Sequence, residues 1–405
     1  MVYRYCFPKQ KHWILYGADF IQEIPQSRKY YTEKYWHYAF PNRPYNIPQV
    51  AYIDEIDQFD YSYFRLSKHD ADYTDPAHRL FLQTAVRCLE DAGYFSENIK
   101  GSDTGVFVGY GGDFDYTQMV AMKDCANMKT HSVGLLASFI TSRLSYLYDL
   151  KGPAMVVDTS CSSSLVALHS ACNSIRAGEC TMAIVGGAHL YTVPVLRGGL
   201  GVQSSDCRTR SFDDSADGTG SGEGVCAILI KKAREAYKDG DHIYAVIKGS
   251  AVVSDGNAAG IASPNLMAQK LTIQKAWEDA NIDPCTISYV EAHGTGTRIG
   301  DPIELKALSE AFSDYSSNRG FCAVSSIKSN MGHLGYCAGL AGLVKAVLQL
   351  KHQTIVSTAH FHKLNKNITL DKSAIYISKE NKLTDKFNSL KLRYYLCKLC
   401  CGREL

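Results

Sequence analysis

The segment Lys151–Ala177 reads KGPAMVVDTSCSSSLVALHSACNSIRA and is the most informative stretch of the chain for its fold. Apolar residues continue to Val157, and the polar run that follows predicts a sharp turn at Cys161. Beyond this turn, apolar side chains recur three or four residues apart, which predicts a helix over Ser162–Ala177 that ends at Gly178. The segment therefore predicts a strand, a turn and a helix, with Cys161 at the elbow between them.

Strand and helix patterns alternate along most of the chain from about residue 76. Short β-rich runs predict strands at Gly105–Gly109, Ala154–Val157, Met182–Val185, Val225–Ile230, Tyr244–Ile247, Ile287–Val290 and Cys322–Val324. Helical spacing predicts helices at Pro76–Ala92, Ser162–Ala177, Met267–Ala280, Ile303–Phe312 and Ala338–Leu350. This order predicts an α/β fold with mainly parallel strands and helices on both faces of the sheet. Neither residues 1–60 nor the stretch from about Lys382 shows a clear element.

The composition is that of an ordinary globular protein, with 405 residues of which 45% are hydrophobic and 21% charged. The formal net charge of +2 and the lack of long like-charge runs give no indication of nucleic-acid binding. The N-terminal residues contain no apolar signal region, and no run of ~18 apolar residues occurs anywhere. We therefore expect a cytoplasmic protein with no membrane insertion.

Most of the 14 cysteines are scattered singly, which predicts reduced thiols in a reducing compartment. Cys397, Cys400 and Cys401 have a spacing that can serve zinc, but no second ligand pair lies near them in sequence, so we expect no metal. Cys161 differs from the others because it is flanked by hydroxyl side chains at the start of a predicted helix. The unpaired backbone N–H groups of a helix N-terminus stabilise a thiolate, so Cys161 is the candidate nucleophile. The cysteines inside apolar runs are expected to be buried and unreactive; these are Cys172, Cys226, Cys322 and Cys337.

Two histidines follow the ends of predicted strands, as Cys161 does. His293 comes after Ser288–Ala292, and His333 follows the strand at Cys322–Val324 by way of Lys328. Because open α/β sheets bind ligands at the carboxyl ends of their strands, these side chains are expected to converge. The remaining histidines considered are expected to be structural or solvated: His78, His169 and His362.

A cysteine with two histidines is suited to acyl transfer. The thiol can accept an acyl group from a thioester, and two imidazole N–H groups can stabilise the enolate that a malonyl thioester forms when it loses carbon dioxide. Lys328 is interpreted either as a supporting charge that orients a histidine or as a solvated surface lysine. A cysteine protease is the alternative, but it needs one histidine with an Asn or Asp partner.

Four motifs make this sequence resemble the β-ketoacyl synthases of the thiolase superfamily, above all the ketosynthase domains of modular polyketide synthases. They are DTSCSSSLVALH at Asp158–His169, DGTGSGEGV at Asp217–Val225, VEAHGTGTRIGDPIE at Val290–Glu304 and SIKSNMGHLGYCAG from Ser326. The resemblance implies a thiolase-like fold of two related βαβαβ halves with mainly parallel mixed sheets. One half, 1–250, carries the nucleophile, and the other, 251–382, carries the histidines.

The resemblance also implies a reaction and its participants. Cys161 accepts the acyl chain, His293 and His333 promote decarboxylation and condensation, and Lys328 supports them. Thr295 and Thr297 match residues that contact the phosphopantetheine arm of an acyl carrier protein. The partners implied are this carrier, an acyltransferase in cis or in trans, and a second copy of the chain in a homodimer. The style of the glycine-rich motif is most similar to that of systems whose acyltransferase acts in trans. No bound cofactor is implied, because the substrates arrive on phosphopantetheine.

The chain departs from the family pattern at both ends. Only Met1–Tyr5 precede Cys6, where the family has a longer apolar strand, and nothing after Tyr376 resembles the family's closing Gly-Phe-Gly-Gly-Thr-Asn-Ala-His segment. The fold is therefore expected to be truncated at both ends, with 383–405 as an unrelated tail. Two alternatives follow: a catalytically impaired remnant that acts as a structural or dimerisation piece, and a degradative thiolase. A thiolase would use a second catalytic cysteine in place of one histidine, and the Gly-His-Leu-Gly setting of His333 disfavours it.

Overall fold

The computed structural model describes residues 2–5, 17–42, 44–194, 202–260, 263–383 and 393–396. Its strands are β1 Val2–Tyr5, β2 Thr104–Gly109, β3 Ala154–Val157, β4 Met182–His189, β5 Gly224–Lys231, β6 Ile287–Glu291, β7 Cys322–Ser325, β8 Thr354–Ile355, β9 Ile375–Ile377, β10 Lys382–Leu383 and β11 Arg393–Leu396. Its helices are α1 Gln26–Ala39, α2 Lys68–Asp72, α3 Pro76–Asp91, α4 Ser96–Ile99, α5 Phe114–Lys123, α6 Met128–Leu135, α7 Phe139–Tyr148, α8 Ser163–Ala177, α9 Ala233–Lys238, α10 Leu266–Ala280, α11 Gly300–Ser313, α12 Lys328–Met331 and α13 Ala338–His352.

The first sheet has the strand order β1-β5-β4-β2-β3. Strand β2 pairs in parallel with β3 and β4, whereas β5 is antiparallel to both β4 and β1. Side chains of β2 alternate between two cores because successive residues of a strand point to opposite faces. Val106 and Val108 pack with α3 and α7, while Phe107 packs with α8 and α13 on the other face. Both faces of this sheet are therefore covered by helices.

The second sheet has the order β11-β6-β7-β9 and is parallel throughout. Helices α10 and α11 cover one face, where Ile273, Leu308 and Phe312 pack on Val290 and Val324. Helix α13 contacts β4 and β5 of the first sheet and β6 and β11 of the second. The two sheets therefore share a central helical layer, and the predicted α/β architecture is confirmed.

The predicted strands and helices agree with the structure except at Tyr244–Ile247, and several observed elements were not predicted, among them β1, α1, α5 and α7. Tyr244–Ile247 was predicted as a strand, but no strand pairs with it in the part of the chain that the structure describes, and its apolar side chains pack on the cores of the first sheet instead. Helix α1 was missed because its polar and aromatic sequence has little periodicity; it buries Trp36 but exposes three tyrosines. Helices α5 and α7 were also missed, and residues after Lys382 contribute β10 and β11 where no element was expected.

Two further expectations concern metals and membranes. Among the described residues, no cluster of histidine, cysteine or acidic side chains is arranged to hold a metal ion. The candidate group at Cys397, Cys400 and Cys401 lies outside the described residues. Within the same described ranges, every helix is too short or too polar to cross a bilayer.

His78 on α3 is a structural histidine, as expected, and it makes the folded state sensitive to acid. Its side chain is fully buried and its ring packs edge-to-face on Tyr110 at 5.3 Å. Among the residues that the structure describes, neither ring nitrogen has a hydrogen-bond partner. Burial, aided by the positive charge of Arg143, lowers the pKa of His78 to about 3. The unfolded chain takes up this proton below a pKa of ~6.5 while the folded chain does not, so acid favours unfolding between these two values.

Replacing His78 with leucine is therefore expected to flatten the acid limb of the stability curve. Relative to His78→Leu, the original chain should lose ~1.4 kcal/mol of unfolding free energy per pH unit as pH falls below ~6.5. Urea titrations between pH 6.5 and 4.5 measure this difference. His69→Leu is the control, because the His69 imidazole is exposed. Equal slopes for His78→Leu and the original chain would show that the buried imidazole is not responsible.

Candidate active site

Cys161 lies at the predicted elbow, between the end of β3 and the start of α8. The serine hydroxyls around it hold the turn: Ser163 Oγ accepts the Thr159 N–H at 2.8 Å and donates to the Ser160 carbonyl at 2.6 Å. Ser160 adopts a left-handed backbone with φ of 53°. Helix α8 can approach β2 closely because Gly109 has no side chain; a Cβ there would lie 2.5 Å from the Ser164 nitrogen. The hydroxyl-rich flank thus has a structural role in presenting Cys161.

The half-buried Cys161 lines a cavity of about 1080 Å³ that also contains His333. One wall is a row of four aromatic rings in edge-to-face contact, with ring centroids 4.8 to 6.1 Å apart: Tyr110, Tyr336, His189 and Tyr191. Residues of α5, α6 and the loop after α6 also line the cavity. A cavity of this size at a nucleophile can hold a long substrate chain.

The two histidines meet at the carboxyl ends of β6 and β7. The rings of His293 and His333 lie 5.4 Å apart at an interplanar angle of 87°. His333 is buried, and its Nδ1 accepts the Gly335 N–H at 2.9 Å. A neutral imidazole that accepts at Nδ1 carries its proton on Nε2, so this contact fixes His333 as an Nε2–H donor. Cys161 and His333 line the same cavity, and the His293 ring contacts that of His333, so the structure brings the three predicted residues together.

The glycine-rich motif Asp217–Val225 lies directly against His333. The His333 N–H donates to the Gly220 carbonyl at 2.8 Å, and the Gly222 N–H donates to the His333 carbonyl at 3.0 Å. A Cβ at Gly222 would overlap the carbonyl oxygen of Met331. The glycines are required because two backbones approach each other here, as their sequence pattern suggested.

Two buried carboxylates of α11, which were not among the predicted site residues, hold the His293 loop. Glu304 accepts the N–H groups of His293 at 2.6 Å and Gly294 at 2.8 Å. Asp301 accepts those of Phe212 at 2.7 Å and Gly296 at 3.0 Å. Burial raises the pKa of both groups, that of Asp301 to about 7. The sequence pattern could have identified these two residues. Acidic residues that directly follow a glycine-rich loop and begin an otherwise apolar helix are unusual, because carboxylates are rarely buried without a partner.

Lys328 is a buried residue, so the alternative of a solvated surface lysine is wrong. Only 4% of it is exposed, and its positive charge partly offsets the burial that raises the pKa of the Asp301 and Glu304 carboxyls. Its backbone N–H donates to Ser326 Oγ at 3.3 Å, and that hydroxyl donates to the His293 carbonyl at 3.1 Å. The structure thus places Lys328 next to the His293 loop, where a supporting charge was predicted.

Thr295 and Thr297 lie in the same glycine-rich loop. Their hydroxyls are 3.1 Å apart, and Thr297 Oγ1 accepts the Gly300 N–H at 3.2 Å. Thr295 is buried and Thr297 half-buried, and neither lines the cavity that contains Cys161. Their contact with a pantetheine arm stays a prediction.

Comparison with known families gives matches along most of the chain. The family described as "Beta-ketoacyl synthase, N-terminal domain" matches residues 10–236, and "Beta-ketoacyl synthase, C-terminal domain" matches residues 244–362. Polyketide synthase PksM of Bacillus subtilis is 42% identical over 376 residues, which are 90% of this chain and 9% of that protein. Polyketide synthase PksN of the same organism is 39% identical over 384 residues, which are 93% of this chain and 7% of PksN. The chain therefore spans less than a tenth of the length of these two relatives.

Solved structures give the same assignment of fold. The ketosynthase from module 6 of the bacillaene synthase of Bacillus subtilis superposes with a TM-score of 0.86 at 34% identity, covering 98% of this chain and 68% of that one. Ketosynthase twelve of the bacillaene polyketide synthase of Bacillus amyloliquefaciens superposes with a TM-score of 0.87 at 32% identity, covering 99% and 70%. The thiolase-like ketosynthase fold predicted from the four motifs is confirmed.

Proposed function

This chain belongs to the β-ketoacyl synthase family, among the ketosynthases of polyketide synthases, and on that premise we propose that it catalyses a decarboxylative Claisen condensation between two carrier-bound thioesters. The observation that supports this most is the shared cavity: Cys161 and His333 line it together, and the His293 ring lies 5.4 Å from that of His333. A nucleophile and two imidazoles are the groups that this reaction needs.

The first half of the proposed reaction loads the enzyme. The Cys161 sulfur attacks the carbonyl carbon of an acyl thioester carried on an acyl carrier protein. A new thioester to Sγ forms, the bond to the carrier's sulfur breaks, and the carrier leaves as a thiol with the proton from Cys161. The acyl chain then extends into the cavity behind Cys161.

The second half makes the carbon–carbon bond. A malonyl-type thioester on a carrier loses carbon dioxide, and the electron pair of the broken bond forms an enolate. The N–H groups of His293 and His333 donate to the enolate oxygen, and the positive charge of Lys328 supports them. The enolate carbon attacks the acyl carbonyl, the Cys161 sulfur leaves as a thiolate, and a β-ketoacyl chain remains on the carrier.

The proposed partners follow from these substrates. The pantetheine arm of the carrier would reach the site past Thr295 and Thr297, and an acyltransferase in cis or in trans would load the malonyl-type unit. Both acyl groups arrive on phosphopantetheine, so no further cofactor is proposed for this domain.

We also propose a homodimer that pairs through β3. This strand forms the edge of the first sheet, and it exposes 47% of Met155; helix α7, which contacts β3, exposes 85% of Tyr146. An exposed apolar edge strand is a site for pairing, and antiparallel pairing with a second copy closes it. Met155→Lys is expected to shift sedimentation from dimer to monomer at micromolar concentration. Tyr237→Lys, at an exposed tyrosine on α9, should leave the dimer intact; a monomeric original chain would contradict this assembly.

The test of the proposed reaction is intact-mass spectrometry of the chain after incubation with acyl-loaded carrier protein. A mass increase equal to the acyl group, followed by release of carbon dioxide when malonyl-loaded carrier is added, supports the condensation. Soluble, folded protein that gains no mass would favour the alternative of a catalytically impaired remnant with a structural or dimerisation role.

A further inference from the structure

A buried ion pair lies behind the histidines and has no part in the reaction proposed above. Lys345 Nζ is 2.9 Å from Glu291 Oε2, and the two side chains are 1% and 2% exposed. Glu291 is the last residue of β6, two positions before His293, and Lys345 lies in the middle of α13. Burial lowers the pKa of Lys345, and the Glu291 carboxylate opposes that shift. A buried pair of this kind is weak evidence for stability, because removing two charges from water offsets their attraction.

Two neutral hydroxyls complete the buried cluster. Lys345 Nζ donates to Ser325 Oγ at 2.7 Å, and Tyr289 OH lies 2.6 Å from the same oxygen while it donates to Glu291. Tyr289 and Ser325 are fully buried. The cluster therefore joins β6, β7 and α13 through directional contacts, which fix the relative positions of these elements more narrowly than apolar packing does.

Each of the three elements leads to one group of the active site. Glu291 Oε1 accepts the N–H of Ile327, the residue before Lys328, at 2.6 Å. The Ala292 N–H donates to the Ser325 carbonyl at 2.9 Å. This hydrogen bond connects β7 to the end of β6, and the chain continues from there to His293. Helix α13 begins five residues after His333. A shift of the Glu291–Lys345 pair would move His293, Lys328 and His333 relative to one another.

We propose that Glu291 and Lys345 are positioning residues for the decarboxylation half of the reaction, an inference that rests on the proposed function. They set the distance between the two imidazoles and Lys328 without touching a substrate. Within the described part of the chain, the polar contacts of this pair are with Tyr289, Ser325 and Ile327, and none of them reaches the turn at residues 158–161. Acyl transfer to Cys161 should therefore be nearly independent of the pair, whereas enolate formation should depend on it.

The experiment compares the two half-reactions in Glu291→Gln and in the double variant E291Q/K345M. Glutamine keeps the size of the side chain but removes its charge, which leaves Lys345 without its ion-pair partner. The double variant removes both charges and so leaves no isolated buried charge. Acylation of Cys161 is followed by intact mass and decarboxylation by release of carbon dioxide from malonyl-loaded carrier. We expect acylation within about 3-fold of the original rate and decarboxylation lower by about 10²-fold, the size of loss that small misplacements of reacting groups cause.

Ile273→Ala is the matched control for simple loss of stability. Ile273 is fully buried on α10 in the core of the second sheet, away from the pair. The Ile273→Ala variant should melt at a lower temperature than the original chain yet keep the original ratio of decarboxylation rate to acylation rate. Unchanged decarboxylation in E291Q/K345M, or an equal fall of both half-reactions, would overturn the positioning role and leave the proposed function intact. An original chain that performs neither half-reaction would overturn both proposals.

Discussion

The Cys161→Ala variant is expected to gain no acyl mass from loaded carrier protein under conditions in which the original chain is fully acylated. Alanine removes the sulfur that forms the thioester and leaves the rest of the turn intact, because its hydrogen bonds come from Ser162 and Ser163. Condensation should fall with acylation, since the acyl chain has no other attachment in the proposed reaction. Intact mass and product chromatography measure the two losses in one sample.

The matched control is Cys172→Ala on the same helix. Burial raises the pKa of the Cys172 thiol to about 11, so almost none of it is thiolate near pH 7. This variant should be acylated at the original rate. If Cys161→Ala still gained the acyl mass, or if Cys172→Ala lost it, the assignment of the nucleophile would be wrong.

The placement of the reactive groups could be predicted from sequence because it depends on local pattern and on one rule of topology. The strand, turn and helix around Cys161 follow from residue spacing, and both histidines follow the ends of strands. The carboxyl ends of the neighbouring parallel strands β6 and β7 meet at one edge of the second sheet, so the convergence of the two histidines needed no knowledge of the loops. Cys161 follows β3 of the first sheet, and its approach to the histidines depends on how the two sheets pack, which this rule does not supply. The ring contact of His293 with His333 is the observed result.

What could not be predicted depends on contacts between segments distant in sequence. Nothing local to Lys328 distinguishes a buried lysine from a solvated one; the buried carboxyls whose charges interact with it, Asp301 and Glu304, are more than 20 residues away in sequence. Tyr244–Ile247 has the composition of a strand, yet a strand also needs a partner, which local sequence does not supply. Helix α1 has no clear apolar face, and the buried pair of Arg28 with Glu223 helps to hold it against the glycine-rich motif.

His333→Ala is expected to separate the two half-reactions. Acylation of Cys161 should continue near the original rate, while carbon dioxide release from malonyl-loaded carrier should fall by about 10²–10³-fold, or ~2.7–4 kcal/mol of transition-state stabilisation, as for other lost oxyanion donors. The physical reason is the tautomer of His333. Its Nδ1 accepts the Gly335 N–H at 2.9 Å, so its proton is on Nε2, and the substitution to alanine removes this N–H donor.

Two further variants make the His333 result specific. His333→Gln restores an N–H donor of similar reach and should recover part of the decarboxylation, which a purely structural role would not explain. His169→Ala, at a half-buried histidine of α8 that hydrogen-bonds Ser250, controls for the loss of an imidazole elsewhere and should leave both half-reactions unchanged. Carbon dioxide release at the original rate from His333→Ala would remove His333 from the oxyanion site, and the enolate would then depend on His293 and Lys328 alone.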